Sequence, residues 1–333
     1  MVGVSEVTAS VVLNGSRSGT RVSDASRERI LTAASQLGYR RNGSAHAITT
    51  GRFDSVGLLV STSWGQSYLS YEIIEGIYNG IRSANLNLLV AYLFDNEPDA
   101  PEAIPKFLRE WSVDGLLIDY IIQTPPYLMA QIQESGVPAV WLNSKRTTDC
   151  VYPDDHLGGR LAAEHLIALG HRRIVMAVPN VGHSLEDHYS VTDRCRGYSE
   201  AMEAAGLAPT IVRRDRGPRQ WLALVEEWGR RDDRPSALIG YDASVSQPLL
   251  FGALTMGLRV PHDLSIVTFG IPVVDNVVGR VVTAVDLPEA EMGRAGIRML
   301  MQRIAAPAQA AAPIVLPVSI ATGETSGPPN RKA

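Results

Sequence analysis

From residue 53 onward, short apolar runs alternate with segments of helical spacing, and this alternation limits the possible folds more than any other feature. The first helical segment shows the pattern, because Ile73, Ile77 and Ile81 recur at four-residue spacing and define one apolar face. Apolar runs of strand length lie at Ser55–Val60, Leu86–Leu93, Val113–Asp119, Val137–Leu142, Arg172–Val178, Ser236–Tyr241 and Leu264–Phe269. Further helical patterns lie at His156–Leu169, Asp193–Ala205, Gln220–Arg230 and Gln247–Met256. Strand, helix and strand in series predict parallel sheets with helices on both faces.

The alternation occurs in two series of similar length, which predicts two doubly wound lobes, and 333 residues fit two or three domains. Residues 1–52 lack this alternation and carry seven arginines against three acidic residues, a formal charge of +4. Because the whole chain carries −4, the rest of it carries −8. A basic head on an acidic body indicates a polyanion-binding module joined to a second unit.

The basic head contains two helix signals and no strand pattern. Ser5 is placed to cap a first helix that stops at Asn14-Gly15. Ser23 is placed to cap a second helix that ends at Gly38. The stretch Gly43–Thr49 has poor helix propensity, so we expect one or two further turns there only when something supports them.

The stretch Val4–Gly15 reads VSEVTASVVLNG and resembles the recognition helix of the LacI/GalR family of bacterial transcription regulators. In the core, Glu164–Ile174 (EHLIALGHRRI), Arg194–Tyr198 (RCRGY) and Gly257–Pro261 (GLRVP) match further family signatures in the same order. The matches span nearly the whole chain. The resemblance implies a small all-α helix-turn-helix head and an α/β core of two doubly wound parallel-sheet lobes, like that of periplasmic sugar-binding proteins.

The resemblance also implies domain limits. We expect a helix-turn-helix head at 1–41, a hinge at 42–52, an N-terminal lobe from 53–153 plus 284–312, and a C-terminal lobe from 154–283 plus 313–323. The stretch 324–333 (ETSGPPNRKA) is polar and rich in turn residues, which predicts a disordered tail.

In this family the second helix of the head lies in the major groove of DNA. The resemblance implies DNA contacts at Ser5, Glu6, Val7, Thr8, Ser10, Val11, Asn14, Arg40 and Asn42. In the hinge, Ala45 and Ile48 occupy minor-groove positions, where an apolar wedge kinks the duplex. The alternative for Val7, Val11 and Ile48 is that they are ordinary apolar packing positions.

Two departures from the family pattern concern the head. The family's first helix and its turn would precede Gly3, so about a dozen residues of the pattern are absent, and the apolar faces at Ala9 and Val12 are expected to lack a cover. Val11 stands where the family has a groove-facing arginine, so the usual guanine reader is absent. The alternative function is therefore a small-molecule-binding core with a defective DNA-binding head.

The family holds a small-molecule effector between its two lobes. Carried over position by position, the expected effector contacts are Trp64, Tyr68, Asn143, Arg194, Tyr241, Asp242 and Gly270. Tyr241, Gly270 and Leu287 replace polar residues of the family pattern, and unmatched buried polar groups cost affinity. We therefore expect a sugar-like or small organic effector that is flatter or less hydroxylated than a simple hexose, or that carries an anionic group facing Arg194.

The sequence contains no catalytic, cofactor or metal motif. The patterns GxSxG, GxxxxGK[ST] and HExxH are absent, and Cys150 and Cys195 form no CxxC pair. His183 and His188 lie in one polar loop and are expected to be solvated. We therefore expect neither enzymatic activity nor a bound cofactor or metal.

Neither a secretory signal nor an apolar run of about 18 residues is visible, which predicts a cytoplasmic protein with no membrane partner. The favoured interpretation is a ligand-responsive, sequence-specific DNA-binding transcription regulator, more often a repressor. Its expected partners are operator DNA and a small-molecule effector. Because two half-sites mirror the symmetry of the protein that reads them, we also expect a homodimer.

Overall fold

A computed structural model describes residues 3–14, 22–39, 47–48, 50–63, 65–93, 105–110, 112–122, 124–180, 188–215, 217–229, 231, 233–270 and 279–330. The head contains helices α1 (Glu6–Asn14) and α2 (Asp24–Gln36). Both predicted caps are confirmed, because the side-chain oxygen of Ser5 accepts from the Thr8 amide and that of Ser23 accepts from the Ser26 amide. Of the hinge, residues 47, 48 and 50 are helical.

The expectation that the apolar face of the first helix lacks a cover is wrong at Val12. Helix α1 packs against α2, and Val12 is 8% exposed while Ile30 of α2 is 3% exposed. The second helix therefore buries the apolar side of the first.

The first lobe is a parallel sheet in the order β11-β5-β4-β3-β1-β2. Its strands are β1 (Ser55–Ser61), β2 (Asn87–Leu93), β3 (Gly115–Asp119), β4 (Ala139–Leu142), β5 (Cys150–Pro153) and β11 (Ile314–Leu316). Its helices are α3 (Tyr71–Ala84), α4 (Lys106–Arg109), α5 (Pro126–Ser135) and α10 (Glu289–Ala305). The predicted face Ile73, Ile77 and Ile81 of α3 is buried in the core, and β1 and β3 are buried along their whole length.

The second lobe has a sheet in the order β12-β10-β9-β8-β6-β7. Its strands are β6 (Ile174–Asn180), β7 (Thr210–Asp215), β8 (Ala237–Gly240), β9 (Ser265–Phe269), β10 (Thr283–Asp286) and β12 (Ser319–Ala321). Only β12 runs antiparallel to its neighbour among these described strands. Its helices are α6 (Asp155–Ala168), α7 (Tyr189–Ala204), α8 (Pro218–Gly229) and α9 (Ala243–Thr255). The prediction of two doubly wound lobes is confirmed.

Two glycines allow α6 and α7 to approach closely, which sets the position of the residues on α7. A Cβ atom on Gly159 would lie 2.0 Å from the Arg194 carbonyl oxygen, and one on Gly197 would lie 2.0 Å from the His156 carbonyl oxygen. No side chain fits at these distances, so both helices pack backbone against backbone.

The predicted limits of the lobes need two corrections near the C-terminus. Strand β10 pairs with β9 in the second sheet, although most of it was assigned to the first lobe. Strand β11 pairs with β5 in the first sheet, although it was assigned to the second. The chain thus crosses between lobes after β10 and again between β11 and β12, and β11 and β12 each form the edge of a sheet built earlier in the sequence.

The prediction of a disordered tail at 324–333 is wrong for 324–330. Thr325 is fully buried, where its hydroxyl donates to the Ile266 carbonyl and accepts from the Thr283 amide. The Gly327 carbonyl lies 2.9 Å from Nε2 of the buried His171. These bonds satisfy the polar groups of a segment whose composition is that of a loop. Residues 331–333 lie outside the described part of the chain.

Candidate effector cleft and DNA-reading head

A cavity of about 140 Å³ lies between the two lobes, at the carboxyl ends of their strands. This edge is where open parallel sheets bind ligands. The predicted effector residues Tyr68, Asn143, Arg194, Tyr241, Asp242 and Gly270 all line it, and so does Leu287. Trp64 lies outside the described residues. Contact of these side chains with an effector stays a prediction.

Arg194, on α7, is the most strongly held of the cavity residues. Its Nε donates to Asp155 Oδ1 at 2.6 Å, and its Nη1 donates to the Tyr241 carbonyl at 2.7 Å. The guanidinium carbon lies 4.6 Å from the centre of the Tyr241 ring and 4.2 Å from that of Phe269. Burial lowers the pKa of Arg194, but the charge and hydrogen bond of Asp155, together with the neighbouring Tyr241 and Tyr189, outweigh burial and raise the pKa above its ordinary value. A fixed, charged hydrogen-bond donor therefore faces the cavity.

His188 contradicts the expectation that it is solvated, because only 7% of it is exposed and it lines the cavity. Its Nε2 lies 2.8 Å from the Asn143 carbonyl oxygen, and its Nδ1 lies 2.7 Å from Ser190 Oγ. Burial lowers the pKa of His188, so the ring is neutral at pH 7. A carbonyl only accepts, so Nε2 carries the proton and Nδ1 accepts from Ser190.

The hydrogen bonds of His188 continue through Ser190 to Tyr241 within the second lobe. The Ser190 oxygen lies 2.6 Å from the Tyr241 hydroxyl. Since the Ser190 proton is directed at His188, the Tyr241 hydroxyl donates to Ser190. One line of hydrogen bonds thus runs from Asn143 in the first lobe to Tyr241 in the second, along the wall of the cavity.

Two acidic side chains complete the polar lining. Tyr68 donates to Glu289 Oε1 at 2.9 Å, and burial raises the pKa of Glu289 above its ordinary value. Asp242 caps α9, because its Oδ1 accepts from the Val245 amide at 3.1 Å and from the Ser244 hydroxyl at 2.6 Å. The remaining lining is largely apolar: Ile121, Ile122, Pro153, Val191, Phe269, Leu287, Pro288, Met292 and Leu316.

The sequence reasoning missed several lining residues, among them His188, Ser190, Glu289 and Phe269. Ser190 lies four residues before Arg194 on the same helix and therefore on the same face, and this spacing is the one signal that points to it. The spacing could not be used because the predicted helical pattern began at Asp193, four residues after the true start of α7 at Tyr189.

The predicted DNA-contacting residues of the head divide into three groups. Glu6, Val7 and Ser10 of α1 are exposed, with Val7 at 64%, whereas Thr8 and Val11 are half-buried. Ser5 is also exposed, but its hydroxyl caps α1 and lies 2.8 Å from the Thr8 hydroxyl. The third group lies outside the described residues and consists of Arg40, Asn42, Ala45 and the side chain of Asn14. His183, the other histidine expected to be solvated, also lies outside them.

Exposure bears on the alternative that the apolar head residues are packing positions. Ile48 is 88% exposed, and Val7 is 64% exposed, so neither packs within the described part of the chain. Val11 is half-buried, which leaves the packing alternative open at that position.

Two features are absent from the described residues. No helix in these ranges is long and apolar enough to cross a membrane. No group of three or more His, Cys, Asp or Glu side chains is placed there to hold a metal ion.

Two family models match the chain in the order of its domains. The model described as "Bacterial regulatory proteins, lacI family" matches residues 1–42, and that described as "Periplasmic binding protein-like domain" matches residues 163–326. With the helical head and the interlobe cavity, these matches define the class: a helix-turn-helix regulator with a periplasmic-binding-protein-like core.

Individual relatives give the family. The HTH-type transcriptional regulator CelR of Thermobifida fusca is 30% identical over 315 residues, which cover 91% of this chain and 89% of CelR. DegA of Bacillus subtilis, another HTH-type transcriptional regulator, is 25% identical over 98% of this chain and 96% of its own length. The chain belongs to the lacI family of bacterial regulatory proteins, as its sequence motifs predicted, and it is a ligand-responsive DNA-binding transcriptional regulator.

Solved structures agree with this assignment. A transcriptional regulator CelR–cellobiose complex superimposes with a TM-score of 0.65 at 25% identity and 97% coverage of both chains. The lac repressor dimer bound to operator and the anti-inducer ONPF superimposes with a TM-score of 0.76 at 21% identity, over 98% of this chain and 96% of that one. The second likeness supports the fold alone.

Proposed function

We propose that the interlobe cavity binds the effector, that Arg194 is its central polar contact, and that its occupancy controls DNA affinity. The observation that carries the proposal is the fixed guanidinium. Nε and Nη1 of Arg194 are engaged by Asp155 and Tyr241, while Nη2 makes no hydrogen bond within the described ranges. A donor locked by its neighbours binds a ligand oxygen without losing conformational freedom.

The charges around the cavity favour an uncharged effector over the anionic one. Asp155 already neutralises Arg194, and the other ionisable acids of the lining, Asp242 and Glu289, repel an anion. Nine of the described lining residues are apolar, so part of the cavity wall offers no partner for ligand hydroxyls. A neutral, sparsely hydroxylated sugar or a glycoside with an apolar substituent fits best, and the CelR–cellobiose complex supports a sugar-like ligand.

Isothermal titration calorimetry of the chain against hexoses, deoxysugars, aryl glycosides and organic acids tests this proposal. We expect a deoxysugar or an aryl glycoside to bind most tightly. Tightest binding of an unmodified hexose or of a carboxylate would refute the proposed chemistry.

Two variants test the role of the guanidinium. Replacing the buried pair together, Arg194→Met with Asp155→Leu, leaves no unpaired charge and is expected to fold but to lose ligand binding. Arg196→Met is the matched control, because Arg196 is exposed on the same helix and does not line the cavity. Unchanged affinity in the double variant would place the ligand elsewhere.

We also propose that the chain is a homodimer that joins through the first lobe. Tyr71, Ile74 and Tyr78 lie at positions i, i+3 and i+7 of α3 and are 74%, 43% and 61% exposed. Val90 and Tyr92 of the adjacent edge strand β2 are 47% and 59% exposed. Large apolar side chains grouped in this way mark an interface.

Sedimentation velocity tests the dimer. We expect the chain to sediment as a dimer, Ile74→Glu combined with Tyr78→Arg to sediment as a monomer, and Val315→Glu to remain a dimer. Val315 is a suitable control because it is 47% exposed on β11, at the opposite edge of the same sheet. A dimeric double variant would refute this interface.

The same proposal includes the biological setting. The protein acts in the cytoplasm as a repressor that reads a two-fold symmetric operator and catalyses no reaction. Exposed Glu6 and Val7 support base reading by α1, exposed Ser10 supports a phosphate contact, and exposed Ile48 supports a minor-groove wedge at the hinge. An Ile48→Ala variant with unchanged DNA affinity in a fluorescence anisotropy titration would refute the wedge.

A further inference from the structure

A second cavity, of about 370 Å³, opens on the second lobe at the opposite end of its sheet. Ile174 at the start of β6, Thr210 at the start of β7 and Pro235 just before β8 line it. The effector cavity instead lies where β8 and β9 end. The two cavities are therefore separated by the length of the sheet.

Positive charge dominates this second cavity, which we call the arginine groove. Arg172, Arg173, Arg231 and Arg234 line it, and Asp233 is the one acidic residue among the described residues of its lining. Asp233 is already bound by Arg231 through two bonds of 2.8 and 2.7 Å. Within the described ranges, the guanidinium groups of Arg172 and Arg234 make no ion pair, so the groove has an excess of positive charge.

Arg234 carries a further unsatisfied group. Its Nε is buried and has no hydrogen-bond partner, whereas its carbonyl accepts from Arg173 Nε at 3.1 Å. A buried donor without an acceptor destabilises the fold, and such a group is commonly completed by a ligand or a water molecule. Arg234 is also a lining residue, so this unsatisfied donor belongs to the wall of the groove.

An aromatic wall lies beside these arginines. Trp228, at the end of α8, lines the groove and is half-buried, because part of its ring packs on the core of the second lobe. Ile174, Val175 and Val212 add apolar surface. The groove thus offers a flat aromatic face next to several cationic groups. Solvation of an arginine cluster does not by itself require an aromatic side chain beside it.

We propose that the arginine groove binds an organic phosphate that carries a flat ring, such as a nucleotide, as a second ligand of the regulator. Guanidinium groups match phosphate oxygens with paired N–H donors, which explains arginine at all four basic positions. The ring of the ligand would stack on Trp228 while its phosphates lie between Arg172 and Arg234.

Calorimetry with the full chain tests the proposal, using ADP, inorganic pyrophosphate and ribose 5-phosphate as probes. We expect ADP to bind about tenfold more tightly than pyrophosphate, since stacking on Trp228 contributes about 1–3 kcal/mol. Arg172→Gln combined with Arg234→Gln is expected to weaken ADP by about tenfold or more, because two charge-assisted contacts are lost. Arg219→Gln, an exposed arginine of the same lobe outside the groove, is expected to leave ADP affinity unchanged.

The proposal would be overturned by no heat with millimolar ADP, by equal ADP affinity in the Arg172/Arg234 variant, or by equal affinity for ADP and pyrophosphate. Loss of ADP binding in the Arg194→Met, Asp155→Leu variant would also overturn it, by placing the nucleotide in the effector cavity. Competition by duplex DNA that is stronger than competition by ADP would assign the groove to nucleic acid instead. Circular dichroism melting confirms that each variant is folded.

Discussion

Asp119, the last residue of β3, gives a quantitative prediction about stability because its carboxyl group is buried with little hydrogen bonding. The side chain is 1% exposed, Oδ1 accepts only a 3.4 Å bond from the Tyr68 amide, and Oδ2 has no hydrogen-bond partner. Burial raises the pKa of Asp119 from 3.8 to about 7. The folded state thus holds this proton more tightly than the unfolded state, so the contribution of Asp119 to stability is largest at low pH and falls as the pH rises from about 4 to about 7.

The substitution Asp119→Asn removes this loss of stability at rising pH, because an amide does not ionise. Each pH unit between the two pKa values costs about 1.36 kcal/mol, so from pH 5 to pH 8 the unaltered chain loses about 3 kcal/mol through this group alone. The amide of the variant lacks partners at every pH, and this cost of about 1–3 kcal/mol cancels in the comparison. The free energy of unfolding of the variant, relative to the unaltered chain, is therefore expected to rise by about 3 kcal/mol between pH 5 and pH 8.

Urea unfolding followed by circular dichroism at pH 5, 6, 7 and 8 measures this difference. The control is Glu134→Gln, an exposed carboxyl group on α5, whose difference from the unaltered chain is expected to stay constant across the range. A constant difference for Asp119→Asn as well would refute the reasoning, because it would mean that the carboxyl group ionises in the folded state as it does in the unfolded one.

Buried contacts of the second lobe give three further predictions. Asp155→Asn leaves the buried Arg194 charge unpaired and is expected to destabilise the chain by about 3–5 kcal/mol in urea unfolding; a loss below about 1 kcal/mol would contradict the pairing. Gly197→Ala places a methyl group against the His156 carbonyl and is expected to lower the free energy of unfolding by at least about 1–3 kcal/mol, whereas unchanged stability would contradict the close approach. Burial lowers the pKa of His171 below 6.5, so its contribution to stability is complete above pH 6.5 and is lost as the pH falls through the folded pKa; His171→Phe is expected to flatten that acid limb, measured by thermal melting between pH 7 and pH 5.

The sequence predicted the parts of the fold that carry a local signal. Strands β1, β3 and β9 are buried on both faces and therefore appear as continuous apolar runs. Strand β7 (TIVRRD) is an edge strand with alternating exposure and two arginines, so it lacks such a run. The three-residue strands β11 and β12 exist only because each pairs with a strand formed far away in the sequence.

The residues of the cleft also divide into those with a local sequence signal and those without one. Arg194 was predictable because a family motif surrounds it, and its neighbours Asp155 and Tyr241 become its partners only when α6 and β8 are brought beside α7. His188 resembles a solvated loop residue until the lobes enclose it between Asn143 and Ser190. Burial of a polar side chain is a property of the tertiary structure, and no local pattern predicts it.

The central claim is that ligand binding in the cleft changes DNA affinity, and one titration tests it most directly. A duplex selected by this chain from a random library is titrated by fluorescence anisotropy with and without the tightest cleft ligand. We expect a two-fold symmetric selected sequence and a shift in DNA affinity of about 5–150-fold, which the Arg194→Met, Asp155→Leu variant abolishes. Equal DNA affinity with and without saturating ligand, or a library with no enriched sequence, would contradict it.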